Sequence, residues 1–205
     1  MTGVQVVAVD LALPAAAVAR LDAMLPTAER SARPEARVLR ATAREVLAER
    51  LGVAAHAVEV SRRCRRCGHP THGKPGLVGA PEVSFSVSRS GTIGVIAVAA
   101  DGVTVGVDIE QVRPRPNLAG LAVRTLGPEA LAAWRAAPET EQLTRFLAAW
   151  TAKEAYLKAI GTGITVPLRE VPERPAGWSV THFAVVEGYV GALARGVSAN
   201  GGTGG

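Results

Sequence analysis

The alternation of apolar and polar positions along the chain predicts a protein of mixed α+β class. Strand-like runs with a period of two occupy residues 4–9, 58–60, 83–87, 93–99, 103–110, 178–186 and 189–193. Helical periodicity fits residues 34–51, which Gly52 ends, and a second helical region that runs from Leu118 to Gly161. Since helices and strands follow in a similar order in both halves, we expect two pseudo-repeated lobes. Each lobe should be a small, mostly antiparallel sheet packed with helices.

A proline-rich link at residues 112–117 separates the two halves. We therefore expect an N-terminal lobe over residues 1–111, closed by the strand that ends at Glu110, and a C-terminal lobe over residues 112–198. Residues 199–205 are mostly glycine, and we expect a disordered tail there because such a segment cannot bury apolar surface.

A carboxylate falls within the apolar face of the last predicted helix. At about 100° per residue, Glu154 lies near the centre of the stripe and Lys158 at its edge. The stripe consists of Leu143, Phe146, Leu147, Trp150 and Leu157. A buried carboxylate is costly unless a cation or a metal ion balances it, so the pattern predicts such a partner for Glu154.

Two further carboxylates share one face of the strand at residues 103–110. Asp108 and Glu110 alternate with Val107 and Ile109, so both acids project to the same side. Together with Glu154 they would form an oxygen-only ligand set, which suits Mg²⁺. The alternative is a solvated strand end plus an ordinary helical pair between Glu154 and Lys158.

These segments carry a resemblance to a known family. Gly-Val-Asp-Ile-Glu at 106–110 and Trp-Thr-Ala-Lys-Glu-Ala-Tyr-Leu-Lys at 150–158 resemble the paired signature of the 4′-phosphopantetheinyl transferases. The two-lobed Sfp-type branch fits best by length, and residues 73–75 and 84–91 resemble two further blocks of it in the same order. The resemblance implies an enzyme that moves the phosphopantetheine arm of coenzyme A onto a serine of an acyl or peptidyl carrier protein. The other product would be adenosine 3′,5′-bisphosphate.

The resemblance also implies roles for individual residues. Asp108, Glu110 and Glu154 would hold Mg²⁺, and Lys158 would stabilise charge on the phosphates of the leaving group. Glu129 is the expected general base for the incoming serine, with an ordinary first-turn acid as the alternative.

The adenosine end and 3′-phosphate of coenzyme A would lie against basic residues upstream. Lys74, Ser88 and Arg89 are the expected contacts, and Arg89 stands where similar proteins often have histidine. Arg33 and Arg40, in the arginine-rich helix, are further candidates for the same phosphate. For Lys153, a solvated or strand-pairing role is as well supported as ligand contact.

Bulk properties narrow the class of partner. The formal net charge of +5 and the sequence pI near 9.9 favour an anionic partner such as coenzyme A or an acidic carrier protein. The few aromatic residues are not interleaved with arginine, which argues against nucleic acid. Because no apolar run approaches a span of about 18 residues, we expect a cytoplasmic protein without membrane contact. We also expect a monomer.

A cysteine- and histidine-rich segment leaves a second reading open. Cys64, Cys67, His69 and His72 are zinc ligand types, but they crowd into one stretch and lack a separated second ligand arm. This spacing favours a local hairpin loop whose thiols bind no metal. The alternatives to an enzyme are a silent coenzyme A or carrier-protein binder and, with less support, a zinc-knuckle protein that binds nucleic acid.

Overall fold

A computed structural model describes residues 3–64 and 67–197. In these ranges the strands are β1 (Gln5–Asp10), β2 (Val60–Ser61), β3 (Gly76–Leu77), β4 (Ser84–Ser90), β5 (Ile93–Ala99), β6 (Val103–Gln111), β7 (Trp178–Phe183) and β8 (Tyr189–Val197). The helices are α1 (Ala15–Leu21), α2 (Pro34–Leu51), α3 (Leu118–Thr125), α4 (Pro128–Ala136) and α5 (Glu139–Ile160). This confirms the α+β class with small antiparallel sheets packed with helices. The segment expected to form a disordered tail lies outside the described residues.

Both long helices end where the sequence indicates. Gly52 caps α2 and Gly161 caps α5, each in the left-handed conformation with φ of 67° and 76° respectively. Glycine adopts this conformation without a Cβ penalty, so each helix stops at the first residue that can turn the chain away.

The strands form two three-stranded antiparallel sheets and a short ribbon. The first sheet has the order β1-β5-β4, the second has the order β6-β8-β7, and β2 pairs with β3. Residues of α2 pack on the first sheet, while α5 packs against β6 and β8.

Strand β6, which we expected to end at Glu110, differs from expectation in the strand it pairs with. We assigned it to the N-terminal half, but β6 pairs with β8 along its whole length, from Val103 opposite Val197 to Gln111 opposite Tyr189. Alternation fixes which side chains share a face and says nothing about which strand lies alongside, so a strand near the middle of the chain could join either sheet. The lobe boundary at residue 111 itself stays a prediction.

Serine side chains connect the two sheets. Alternate residues of β4 point at β6, where the amides of Val105, Val107 and Gln111 donate to the Oγ atoms of Ser84, Ser86 and Ser90, each at 3.1 Å. These hydroxyls take the place of a neighbouring strand along that edge of β6, so its amide groups are satisfied without a shared sheet. The sheet edge is thereby fixed in register with β4.

Helix α5 approaches β6 most closely at Gly106. A Cβ built on Gly106 would lie 2.0 Å from the Ala155 carbonyl oxygen and 2.4 Å from the Ala159 amide nitrogen. Any side chain at this position would therefore push the helix off the strand. The close approach brings the C-terminal part of α5 over the middle of β6, two residues before Asp108.

Candidate active site

A buried ion pair joins the two sheets to α5. The Lys158 ammonium donates to Asp108 Oδ1 at 2.6 Å and to Ser88 Oγ at 2.8 Å, and the Ser88 hydroxyl donates to the same Asp108 oxygen at 2.7 Å. Asp108 is only 5% exposed, whereas the Lys158 side chain is about a third exposed. Three distant segments, β4, β6 and α5, therefore each contribute one polar group to this cluster.

Two carboxylate oxygens in this region lack a hydrogen-bond partner among the described residues. They are Asp108 Oδ2 and Glu154 Oε1, and both are buried. Burial raises the pKa of Asp108, with Lys158 and Ser88 acting in the opposite direction. Burial, then the nearby charge of Asp108, raises the pKa of Glu154. Buried acceptors without donors are costly, so the arrangement calls for a cation or a donor from a ligand.

Glu110 continues the acidic row one step along β6. Its Oε2 accepts a hydrogen bond from Ser90 Oγ at 2.9 Å and forms an ion pair with Arg115 at 2.7 Å. Alternation along the strand placed Glu110 beside Asp108 but could not indicate either of these partners. The charge of Glu110 also helps to raise the pKa of Asp108 and of Glu154, so the three acids act on one another.

The donor chemistry of this site fits a hard cation. Carboxylate oxygens are the ligands that Mg²⁺ prefers, and the site offers two buried oxygens that nothing else in the described structure satisfies. Lys158 and Arg115 neutralise part of the negative charge on Asp108 and Glu110. The Mg²⁺ ligand set of Asp108, Glu110 and Glu154 stays a prediction.

Arg89 lies on the opposite face of β4 from Ser88. It is exposed and pairs in register with Gly94, where an added Cβ would lie 2.8 Å from Leu39 Cδ1 of α2. This register places Arg89 beside the arginine-rich helix rather than in the Asp108 cluster. Its predicted contact with a 3′-phosphate therefore requires a ligand that reaches from the carboxylates to the α2 side of the sheet.

The α2 arginines are partly engaged with acids. Arg33 is exposed at the start of α2, and Arg40 has a long ion pair of 3.8 Å with Glu29. Arg44, buried one turn further on, donates to both oxygens of the same Glu29. Burial, then the neighbouring charge of Arg40, lowers the pKa of Arg62. Several guanidinium groups therefore share one carboxylate, which leaves positive charge available for an anion.

Lys74 has the contacts of a structural lysine. Its ammonium donates to the backbone carbonyls of Val105 at 2.9 Å and Ala159 at 2.8 Å, and lies 3.4 Å from Ser84 Oγ. It thus joins the segment just before β3 to both β6 and α5. Its predicted phosphate contact gains no support from these bonds.

Glu129 is exposed in the first turn of α4. It forms no hydrogen bond or ion pair with Asp108, Glu110 or Glu154 in the part of the chain that the structure describes. The helix dipole favours an acid at this position whatever its role, so the base assignment remains a prediction.

Lys153 is a structural residue that the sequence reading left undecided. It is 1% exposed, and its ammonium donates to the carbonyls of Thr125 at 2.8 Å and Leu168 at 3.0 Å. Burial lowers its pKa. Ala152 and Ala155, close to Lys153 in the sequence, are also buried. Their small size was the feature of the sequence that could have indicated a helix enclosed on several faces.

None of the described helices combines the length and the apolar character that crossing a bilayer requires.

Comparison with known proteins gives a family for the segment that carries this site. Residues 104–191 match the model of the 4′-phosphopantetheinyl transferase superfamily. A Synechocystis protein provisionally named as such a transferase is 37% identical over 101 residues, 48% of this chain and 41% of that protein. The transferase HetI of Nostoc is 32% identical over 120 residues, 54% of this chain and 50% of HetI. Sfp of Bacillus subtilis is 30% identical over 97 residues, 47% of this chain and 42% of Sfp.

These alignments span half or less of each of these relatives. The matched segment contains β6 except Val103, all of α5 and β7, and the start of β8, and therefore Asp108, Glu110, Glu154 and Lys158. The family resemblance read from the sequence is confirmed over this segment.

Proposed function

We propose that this member of the 4′-phosphopantetheinyl transferase superfamily transfers the phosphopantetheine arm of coenzyme A to a serine of an apo carrier protein. The observation that carries the proposal is the pair of partnerless buried oxygens on Asp108 and Glu154, beside Lys158, within the matched segment. A polyanionic pyrophosphate with a bound cation would satisfy both oxygens.

In the proposed reaction the serine oxygen forms a bond to the phosphorus that bears the pantetheine arm. The bond between that phosphorus and the bridging oxygen of the pyrophosphate breaks, and adenosine 3′,5′-bisphosphate leaves with the electron pair. The serine proton passes to a base, for which Glu129 remains the candidate. Phosphoryl transfer of this kind depends mainly on positioning and on charge neutralisation.

Asp108, Glu110 and Glu154 would hold the metal ion. Mg²⁺ bound there would neutralise charge on the pyrophosphate oxygens. Ser88 and Lys158 orient the Asp108 carboxylate through Oδ1, which leaves Oδ2 directed away from both donors. Lys158 is partly exposed, so a phosphate oxygen could reach it, and it would then stabilise the negative charge that develops on the leaving group.

The basic residues beside the first sheet support the other end of the substrate. Arg89 lies on the side of β4 that faces α2, and Arg33, at the N-cap of α2, and Arg40, within it, are exposed or half-exposed. A 3′-phosphate bound among them would explain the excess positive charge there. The net charge of +5 also favours approach of an acidic carrier protein, which would bind as a partner to the monomer.

Mass spectrometry of an apo carrier protein tests the proposal. The carrier is incubated with this protein, coenzyme A and Mg²⁺, and a mass gain equal to phosphopantetheine is expected. Glu141→Gln, an exposed α5 acid that pairs with Arg145, is the matched control for Glu154→Gln. Binding of coenzyme A by isothermal titration without any mass gain would contradict the proposal and favour a silent binder.

A further inference from the structure

A loop outside the carboxylate cluster gathers three metal-ligand side chains. The ligand atoms of Cys64, Cys67 and His72 all lie within 4.8 Å of one another. Neither cysteine forms a disulfide. The described contacts of Asp108 and Lys158 are with each other and with Ser88, and none of them includes a residue of this trio. The transferase chemistry therefore leaves the cluster unexplained.

The backbone folds this loop back on itself, which supplies the ligand arm that the spacing alone does not show. The Cys64 amide donates to the His69 carbonyl at 2.7 Å, and the Gly73 amide donates to the Arg62 carbonyl at 2.7 Å. Gly68, directly after the second cysteine, has φ of +74° and reverses the chain. His72 returns in this way to lie against the cysteine pair.

Glycine is also needed where the loop closes. A Cβ on Gly73 would lie 2.5 Å from the Arg63 carbonyl oxygen. The two arms of the loop therefore approach as closely as backbone allows, and they continue into the β2–β3 ribbon through the pair Ser61 and Gly76. The ligands sit at the tip of a short hairpin held by backbone hydrogen bonds, so their proximity does not depend on a metal.

One edge of the cluster fits tetrahedral zinc. With ordinary zinc–sulfur and zinc–nitrogen bonds, the edge between a thiolate and an imidazole ligand is about 3.5 Å. Cys67 Sγ and His72 Nε2 are separated by 3.2 Å. Two thiolates and one imidazole form a soft to borderline set that suits Zn²⁺ and does not suit Mg²⁺ or Ca²⁺. We propose that Cys64, Cys67 and His72 bind one zinc ion, with the fourth position open to water.

His69 lies beside the cluster without belonging to it, and its Nδ1 accepts a hydrogen bond from the Thr71 amide at 3.4 Å. Its ring stacks on His72, with ring centroids 4.8 Å apart and planes inclined by 28°.

The zinc would fix the loop that leads into Lys74. Two residues after His72, the Lys74 ammonium reaches the carbonyls of Ala159 and Val105. The Lys74 Cβ also lies 3.1 Å from the position that a Cβ on Gly161 would take, at the end of α5. A metal at the hairpin tip would thus stiffen the segment that joins β3 to the helix bearing Glu154. Its role is structural, and it does not depend on the proposed transfer reaction.

Metal analysis of the whole protein tests this inference. Protein purified with a phosphine reductant is stripped with a chelator, supplied with Zn²⁺, desalted and analysed by plasma mass spectrometry. One zinc per chain is expected, and Co²⁺ in its place should give the visible absorption of a tetrahedral thiolate site. Excess Mg²⁺ should not displace it, and Asp108→Asn should bind zinc as the parent does, which separates this site from the carboxylate cluster.

Variants identify the ligands. Cys67→Ser and His72→Ala should each weaken zinc binding by at least about a hundredfold in competition with a chromophoric chelator. His56→Ala, which removes an exposed histidine outside the loop, is the control and should bind as the parent does. Circular dichroism checks that each variant is folded, and His72→Asn replaces His72→Ala if the latter is not. Substoichiometric zinc in the reduced parent, or equal affinity in parent and ligand variants, would overturn the proposal.

Discussion

The carboxylate cluster and the cysteine loop present ligand atoms in opposite ways. Asp108, Glu154 and Lys158 come together only because β4, β6 and α5 pack across the two sheets, and their oxygens are buried. Cys64, Cys67 and His72 come together within one hairpin tip, where Cys67 and His72 are exposed. A site built from distant segments depends on the whole fold, whereas a local site depends on a few backbone hydrogen bonds. Damage to the two sites should therefore have different consequences.

The largest effect is expected at the carboxylates. Alanine at Asp108, Glu110 or Glu154 should lower the rate of transfer by about a hundred- to a thousandfold or more, because each removes a proposed metal ligand. The isosteric variants Asp108→Asn and Glu154→Gln should do the same while preserving shape. Rates are measured by mass spectrometry of the carrier, with Glu141→Gln as the control. Near-normal Mg²⁺-dependent transfer in two of the three alanine variants would show that the ligand assignment is wrong.

The same cluster makes a separate prediction for stability. In the presence of EDTA, the free energy of unfolding of Glu154→Gln should equal that of the parent or exceed it by about 1 kcal/mol at most, because the variant removes a buried charge without a partner. Asp108→Asn should not show this gain, since it breaks the ion pair with Lys158. A clear destabilisation by Glu154→Gln in EDTA would mean that the carboxylate has a donor that the structure does not reveal.

The next effect tests whether the carboxylate cluster depends on close packing. Gly106→Ala should destabilise the protein by about 3 kcal/mol or more, because its Cβ would fall 2.0 Å from the Ala155 carbonyl oxygen. Gly76→Ala, at a strand position with open space around the added Cβ, is the matched control and should change the free energy of unfolding by less than about 1 kcal/mol. Urea unfolding measures both. Equal stability of the two variants would show that α5 can shift away from β6 at little cost.

Sequence patterns indicated the ligand types at both sites and missed how the chain completes them. Alternation placed Asp108 and Glu110 on one face, and helical periodicity placed Glu154 among apolar neighbours. Neither pattern could show that β6 pairs with β8, that Ser90 and Arg115 engage Glu110, or that Lys153 is buried against two carbonyls. These contacts join residues far apart in the chain, and a local period carries no information about them.

For the cysteine loop, the sequence pattern likewise could not show how closely the ligand side chains approach one another. Ligand spacing alone suggested that the candidates lacked a second arm, because linear distance along nine residues looks the same for an open loop and a closed one. The left-handed Gly68 and the close approach at Gly73 bring the two arms of the predicted hairpin together, and both are properties of backbone conformation. The glycines were visible in the sequence, but their geometric role was not.

A smaller effect is expected at the far end of the proposed substrate. Arg89→Ala should raise the KM for coenzyme A about ten- to a hundredfold while changing the KM for 3′-dephospho-coenzyme A little, because only the former loses a charge-assisted contact. Arg89→His should recover part of the loss, more so at acidic pH where the imidazole is charged. Kinetics are compared at saturating carrier protein. Equal changes in KM for the two substrates would show that Arg89 does not bind the 3′-phosphate and would favour Arg33 and Arg40 as its ligands.

The smallest effect on transfer is expected at the cysteine loop. Replacing both Cys64 and Cys67 by Ser removes the proposed zinc ligands but touches no group of the carboxylate cluster, so the rate of transfer should stay within about threefold of the parent. The free energy of unfolding should fall by about 1 to 2 kcal/mol, because the hairpin keeps its backbone hydrogen bonds and loses only the metal. The loss should appear only when the parent is loaded with zinc, and parent and variant should unfold alike after chelation. Loss of transfer in a folded double variant would show that the loop acts on the active site through Lys74, and the two sites would then have to be treated as one coupled unit.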